Sequence, residues 1–120
     1  MTKGYDTIAE FERDGFLIVV DKTWEDIHPG DCFDDTCYDI KEISDKIDRG
    51  IYEWFLLRVR VMLDGHVLGQ DHLGGCLYEN AKDVLTDGTA EDLIFMALEE
   101  AKTAALDLKH RLVEMNLEGF

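Results

Sequence analysis

Residues 57 to 76, LRVRVMLDGHVLGQDHLGGC, gather His66, Asp71, His72 and Cys76 around an Asp64-Gly65 pair. A thiol activated by a histidine would be a nucleophile, and such a dyad needs its two side chains in hydrogen-bond contact. On a regular strand His72 and Cys76 share a face, yet at roughly 3.3 Å per residue they stand about 13 Å apart. Only a bulge at Gly74-Gly75 shortens that separation. The simpler reading is a hairpin whose glycine-rich bend lets a helix pack closely.

His28, Cys32 and Cys37 could supply three metal ligands. The C-x4-C spacing is wider than a zinc knuckle and no fourth ligand stands nearby, so Cys37 reads as a small core residue on a helical stripe. Asp31, Asp34 and Asp35 lack the calcium-loop pattern. No phosphate-cradling glycine loop, G-x-S-x-G elbow or H-E-x-x-H pair occurs. The expectation is a protein without metal, cofactor or catalytic centre, not an enzyme.

Carboxylates are the more telling chemistry. The chain has 27 acidic and 12 basic side chains, a net charge of −15. That field repels nucleic acid and anionic membrane and favours a basic partner. Residues 61 to 100 concentrate it, with nine acids against Lys82 alone. Glu79, Asp83, Asp87 and Glu91 recur every fourth position, with Asp92 beside them. On a helix such neighbours lie about 5 to 6 Å apart, comparable to successive phosphates of one nucleic-acid strand. They are the candidate partner-binding residues, although Gly88 interrupts the row. The competing reading is a solvated face that keeps a small protein soluble.

The elements that must position these groups follow from pattern. Thr7-Ile8-Ala9-Glu10 has the capping-box form and predicts a short helix ended by Gly15. Phe16 to Val20 is an apolar run that suits a buried strand. Residues 21 to 35 form an acidic loop. From Asp35 or Thr36, Cys37, Ile40, Ile43 and Ile47 recur at helical spacing, Glu42-Lys46 and Asp45-Arg49 lie at i,i+4, and Gly50 stands past the end.

Residues 54 to 63 alternate between two faces, with Phe55, Leu57, Val59, Val61 and Leu63 on one and Trp54, Leu56, Arg58, Arg60 and Met62 on the other. Asp64-Gly65 suits a type I′ turn, so the strand folds back through residues 66 to 78 and sets Arg58 opposite Asp71, Leu57 opposite His72 and Leu63 opposite His66. Glu79 to Asp87 suits a short helix. Thr89 then caps a long one striped by Leu93, Ala97, Ala101, Ala104, Leu108, Leu112 and Met115 and widened by Ile94, Leu98 and Ala105. The fold class is α+β: a three-stranded, mainly antiparallel sheet packed against the long C-terminal helix, with short additional helices, in a single domain over 1–120. The second sheet face carries Trp54, Leu56, Met62, Val67 and Leu73 and needs its own cover, a partner, a second copy or another helix of the chain. Trp54 with Arg58 and Arg60 has the composition of an interface anchor.

Three cysteines fit reduced thiols, and the apolar run at Phe16 is too short for a signal segment or a membrane span. A cytoplasmic protein is expected.

The segments YEWFLLRVRVMLDGHVLG and YENAKDVLTDGTAEDLIFMALEEAK resemble, in size, charge and layout, the small acidic proteins of phages and mobile elements. Some proteins of that kind are anti-CRISPR or anti-restriction inhibitors. The resemblance implies an inhibitor of a host defence complex and carries no residue roles; joined to the acidic row, it gives the expectation of a non-enzymatic DNA mimic toward a basic nucleic-acid-binding complex, with Glu79, Asp83, Asp87, Glu91 and Asp92 as surrogate phosphates and Trp54 as anchor. The alternative is a homodimeric protein- or ligand-binding accessory module whose acidity serves solubility.

Overall fold

A computed structural model describes residues 4–32 and 38–115. Four strands, β1 (Asp6–Arg13), β2 (Phe16–Trp24), β3 (Glu53–Leu63) and β4 (His66–Tyr78), form an antiparallel meander in the order β1-β2-β3-β4. Between β2 and β3 lie a single helical turn, α1 (Pro29–Cys32), and the helix α2 (Ile40–Asp48). After β4 come a 3-10 turn (Ala81–Leu85) and the 26-residue helix α3 (Thr89–Glu114). The fold is the expected α+β class with four strands in place of three.

The additional strand is β1, where the capping-box pattern predicts a helix. A cap contributes only about 1 kcal/mol, whereas Asp14-Gly15 repeats the dipeptide of Asp64-Gly65 and closes a hairpin with β2. Both pairs hold left-handed backbone, φ 54° and 86° at the first turn and 49° and 82° at the second. Ala9 and Phe11 then stand opposite Val20 and Ile18 and pack against the core.

That core lies between one sheet face and the first half of α3. Ile18, Val20, Leu57, Val59 and Val61 are fully buried against Leu93, Ile94, Ala97, Leu98 and Ala101. The approach is closest at Gly69 of β4, where a methyl group would lie 2.0 Å from the Ala97 carbonyl oxygen. The expected stripe along α3 is buried only to Ala101; beyond it Leu108 and Met115 are half or more exposed, because the helix outruns the sheet.

The register differs from the equidistant one past the turn. Leu63 faces His66 as expected, but Leu68 is bulged out between the pairs Met62-Val67 and Val61-Gly69. Arg58 therefore faces His72, Val59 faces Asp71 and Leu57 faces Leu73. The second irregularity falls at Gly74-Gly75, between the pairs Leu57-Leu73 and Phe55-Cys76.

Two helix starts also shift. α2 begins at Ile40, its cap supplied by Asp39, whose carboxylate accepts from the Glu42 N–H at 3.0 Å. The residues expected to open that helix, 35 to 37, lie outside the described ones. α3 has Gly88 at its N-cap, with φ 95° and no side chain to offer. Thr89 is its first residue, and the carboxylate of Asp87 accepts from the Thr89 N–H at 2.9 Å instead.

Candidate functional site

The hairpin builds no nucleophile. Cys76 stands opposite Phe55 on the core face, while His72 stands opposite Arg58 on the other, because the Gly74-Gly75 bulge shifts the alternation between them. Cys76 is 4% exposed, its thiol directed at the Leu73 carbonyl, and burial pushes that thiol from its ordinary 9.0 up to about 11. His72 is exposed. Among the described residues no three histidine, cysteine or acidic side chains cluster as a metal site. His28 Nδ1 accepts from the Gly30 N–H at 3.0 Å, and Cys37, Asp34 and Asp35 lie outside the described residues.

The five carboxylates meet different fates. The segment holding Asp83 is a 3-10 turn, Ala81–Leu85, with Ala81 and Val84 buried. At three residues per turn, positions four apart rotate by about a third of a circle, so the expected row along one helix face does not form. Asp87 accepts from the Tyr78 hydroxyl and from the Thr89 N–H, and these bonds, the first chiefly, hold its carboxyl below the usual range. Glu91 is gripped by both Nη atoms of Arg13, at 2.9 and 3.1 Å, which lowers its carboxyl likewise. Glu79, Asp83 and Asp92 are exposed, and no ion pair engages them among the described residues.

The solvent face of α3 extends that acidity. Asp92, Glu99 and Glu100 are exposed on it together with Phe95 and Met96, 63% and 58% exposed. Their spacing of three and four places them along one side of the helix, opposite the buried Leu93, Ile94, Ala97 and Leu98. Phe95 and Met96 fall outside every sequence-predicted site; their side follows from counting outward from the buried stripe.

Trp54 stands on the sheet face away from α3. Its indole N–H donates to the Ile27 carbonyl at 2.8 Å, which ties the segment before α1 to the sheet. It is therefore not brought together with the carboxylates of α3. Arg58 and Arg60, its expected companions, are engaged by Asp21, which is 2% exposed. Arg58 grips both carboxylate oxygens at 2.8 and 2.6 Å and Arg60 reaches one at 3.1 Å. The Tyr5 ring covers the Arg58 guanidinium at 3.5 Å. A reading that puts Asp21 in a loop misses this network; the alternation Val19, Asp21, Thr23 is the signal that could have found it.

A scan against protein-family models and searches of curated proteins and of solved structures found no match to this chain.

Proposed function

We propose that the chain is a non-enzymatic binding protein that offers an acidic surface to a basic, nucleic-acid-binding partner, in the manner of phage inhibitors of host defence complexes. The observation that carries it is the imbalance of residues 61 to 100: of nine carboxylates there, Glu91 alone enters an ion pair among the described residues. The binding surface is moved from the evenly spaced row to Glu79, Asp83, Asp92, Glu99 and Glu100. Phe95 and Met96 among the last three give the surface apolar contact, the combination by which a helix face seats in a groove. Long-range attraction steers the encounter, and buried apolar area holds it.

Capture from a bacterial lysate on immobilised protein tests the proposal. Nucleic-acid-binding proteins should be retained at low salt, released as salt rises, and displaced by duplex DNA. Reversing Asp92, Glu99 and Glu100 to lysine should abolish capture while the fold persists. Retention unchanged by that triple reversal and by reversal of Glu79 and Asp83 would overturn the reading.

A second reading, an accessory module that pairs with its own copy, is favoured by the overhanging half of α3. Leu108 and Met115 are exposed there, and residues 102 to 114 carry three basic and two acidic side chains. Sedimentation equilibrium over a range of concentrations decides for or against a dimer.

A further inference from the structure

At the end of the sheet opposite the two Asp-Gly turns, a cleft opens around Trp54. One part, about 430 Å³, is lined by Asp6, Thr23, Trp24, Tyr52 and Trp54. A second, about 440 Å³, also borders Trp54 and is lined by Glu25, Asp26, His28, Ser44 and Asp48. Ile47 of α2 borders both parts. Cavities of this size accept small organic molecules.

Three properties of the lining select the ligand. Charge comes first: besides the Lys22-Glu53 ion pair, which neutralises itself at the rim, the two parts add Asp6, Glu25 and Asp48 and, among the described residues, no further lysine or arginine. Glu25 is structural, since its two oxygens accept from the Ile27 and Gly75 N–H groups, but its charge still contributes to the field. Aromatic rings come second. Trp24 is 69% exposed, and Tyr52 and Trp54 stand with it at the first part. Third, Thr23 is 4% exposed and its hydroxyl has no hydrogen-bond partner among the described residues. Unsatisfied buried hydroxyls are uncommon and costly, and a ligand N–H is the partner the fold omits.

We infer that the first part of this cleft is a binding site for a guanidinium-bearing cation, stacked on one of its aromatic rings with an N–H directed at the Thr23 hydroxyl. A planar guanidinium stacks on indole and offers several donors at once, whereas an ammonium is a compact and more strongly hydrated charge. The source is either a free small molecule or an arginine side chain presented by a peptide. The site lies at the end of the sheet remote from the two Asp-Gly turns and does not rest on the function proposed above.

The only two tryptophans of the chain, Trp24 and Trp54, both line the cleft, so intrinsic fluorescence reports occupancy directly. The intact protein is titrated with N-acetyl-arginine amide, with the citrulline amide of the same shape and no charge, and with a short arginine-containing peptide beside its citrulline counterpart. A saturable change with either guanidinium probe, about tenfold weaker or absent for citrulline, is expected. Response to the peptide alone assigns the source to a protein side chain. Trp24→Ala should weaken binding about tenfold. Thr23→Val should weaken it several-fold without lowering the melting temperature, because the hydroxyl it removes bonds nothing among the described residues of the free protein. Flat titrations with both guanidinium probes, or equal response to citrulline, overturn the inference. If Thr23→Val melts lower, the indole N–H chemical shifts of the wild-type protein, followed through the same titrations, decide the matter without a variant.

Discussion

At the scale of single residues, Asp21 is the most consequential side chain. Its carboxylate is buried and satisfied by two guanidiniums, so its loss strands both. Breaking a buried pair from one side costs about 3 to 5 kcal/mol. Arg58 and Arg60 keep some contact with water, 17% and 26%, so Asp21→Ala should cost about 3 kcal/mol in urea unfolding. A loss below about 1 kcal/mol would show the network to be ornamental. Cys76 supplies a pH dependence. Its thiol is neutral in the fold up to about 11, against an ordinary 9.0. The folded state holds this proton the more tightly, so the contribution is fully present below pH 9 and is lost as pH rises from 9 to about 11. Cys76→Ala should flatten the unfolding free energy across that window. Iodoacetamide at pH 8 should modify the exposed Cys32 and spare Cys76 until the protein unfolds.

At the scale of elements, Gly69 decides whether α3 can dock. A methyl group there would meet the Ala97 carbonyl oxygen at 2.0 Å and the Ala101 nitrogen at 2.8 Å, both backbone atoms that a rotamer change cannot move. Gly69→Ala should therefore cost about 3 kcal/mol or more by thermal or urea unfolding, at the top of the range for overpacked cores. The same substitution at Gly4, where nothing lies within 4 Å, should be neutral. The elements are legible in the sequence where one periodic signal is long: β3 from its alternation, α3 from its stripe, the β3-β4 turn from Asp64-Gly65. β1 reads wrongly because a weak local cap masks the equally clear turn at Asp14-Gly15. The register slips for a different reason. A bulge at Leu68 adds a residue without any glycine or proline at that position to announce it, and the pairing Arg58-His72 in place of Arg58-Asp71 follows from that insertion. The cleft is hidden because its walls come from β2, β3 and α2, elements whose meeting depends on the loop that carries no periodicity.

At the scale of the whole molecule, shape departs from the ordinary. A chain of 120 residues that packs isotropically has a radius of gyration of about 14 Å. Here it is 18.2 Å, with extents of 62 × 31 × 24 Å. The overhang of α3 is responsible: Lys102 pairs with Asp14 at the turn end of the sheet, at 3.0 Å, and past it the helix has little to pack against among the described residues. An unsupported amphipathic helix is marginal in water. Amide exchange should divide α3 in two, with protection strong from Leu93 to Ala101 and weaker by about tenfold or more from Leu106 to Val113. Uniform protection would place a partner on the second half. The overhang also governs how the protein travels through a medium. A particle 62 Å long and 31 Å across experiences more friction than a sphere of its 13.7 kDa. A single copy should leave a gel-filtration column ahead of globular standards of equal mass and tumble anisotropically in solution, with the hydrodynamic profile of something larger.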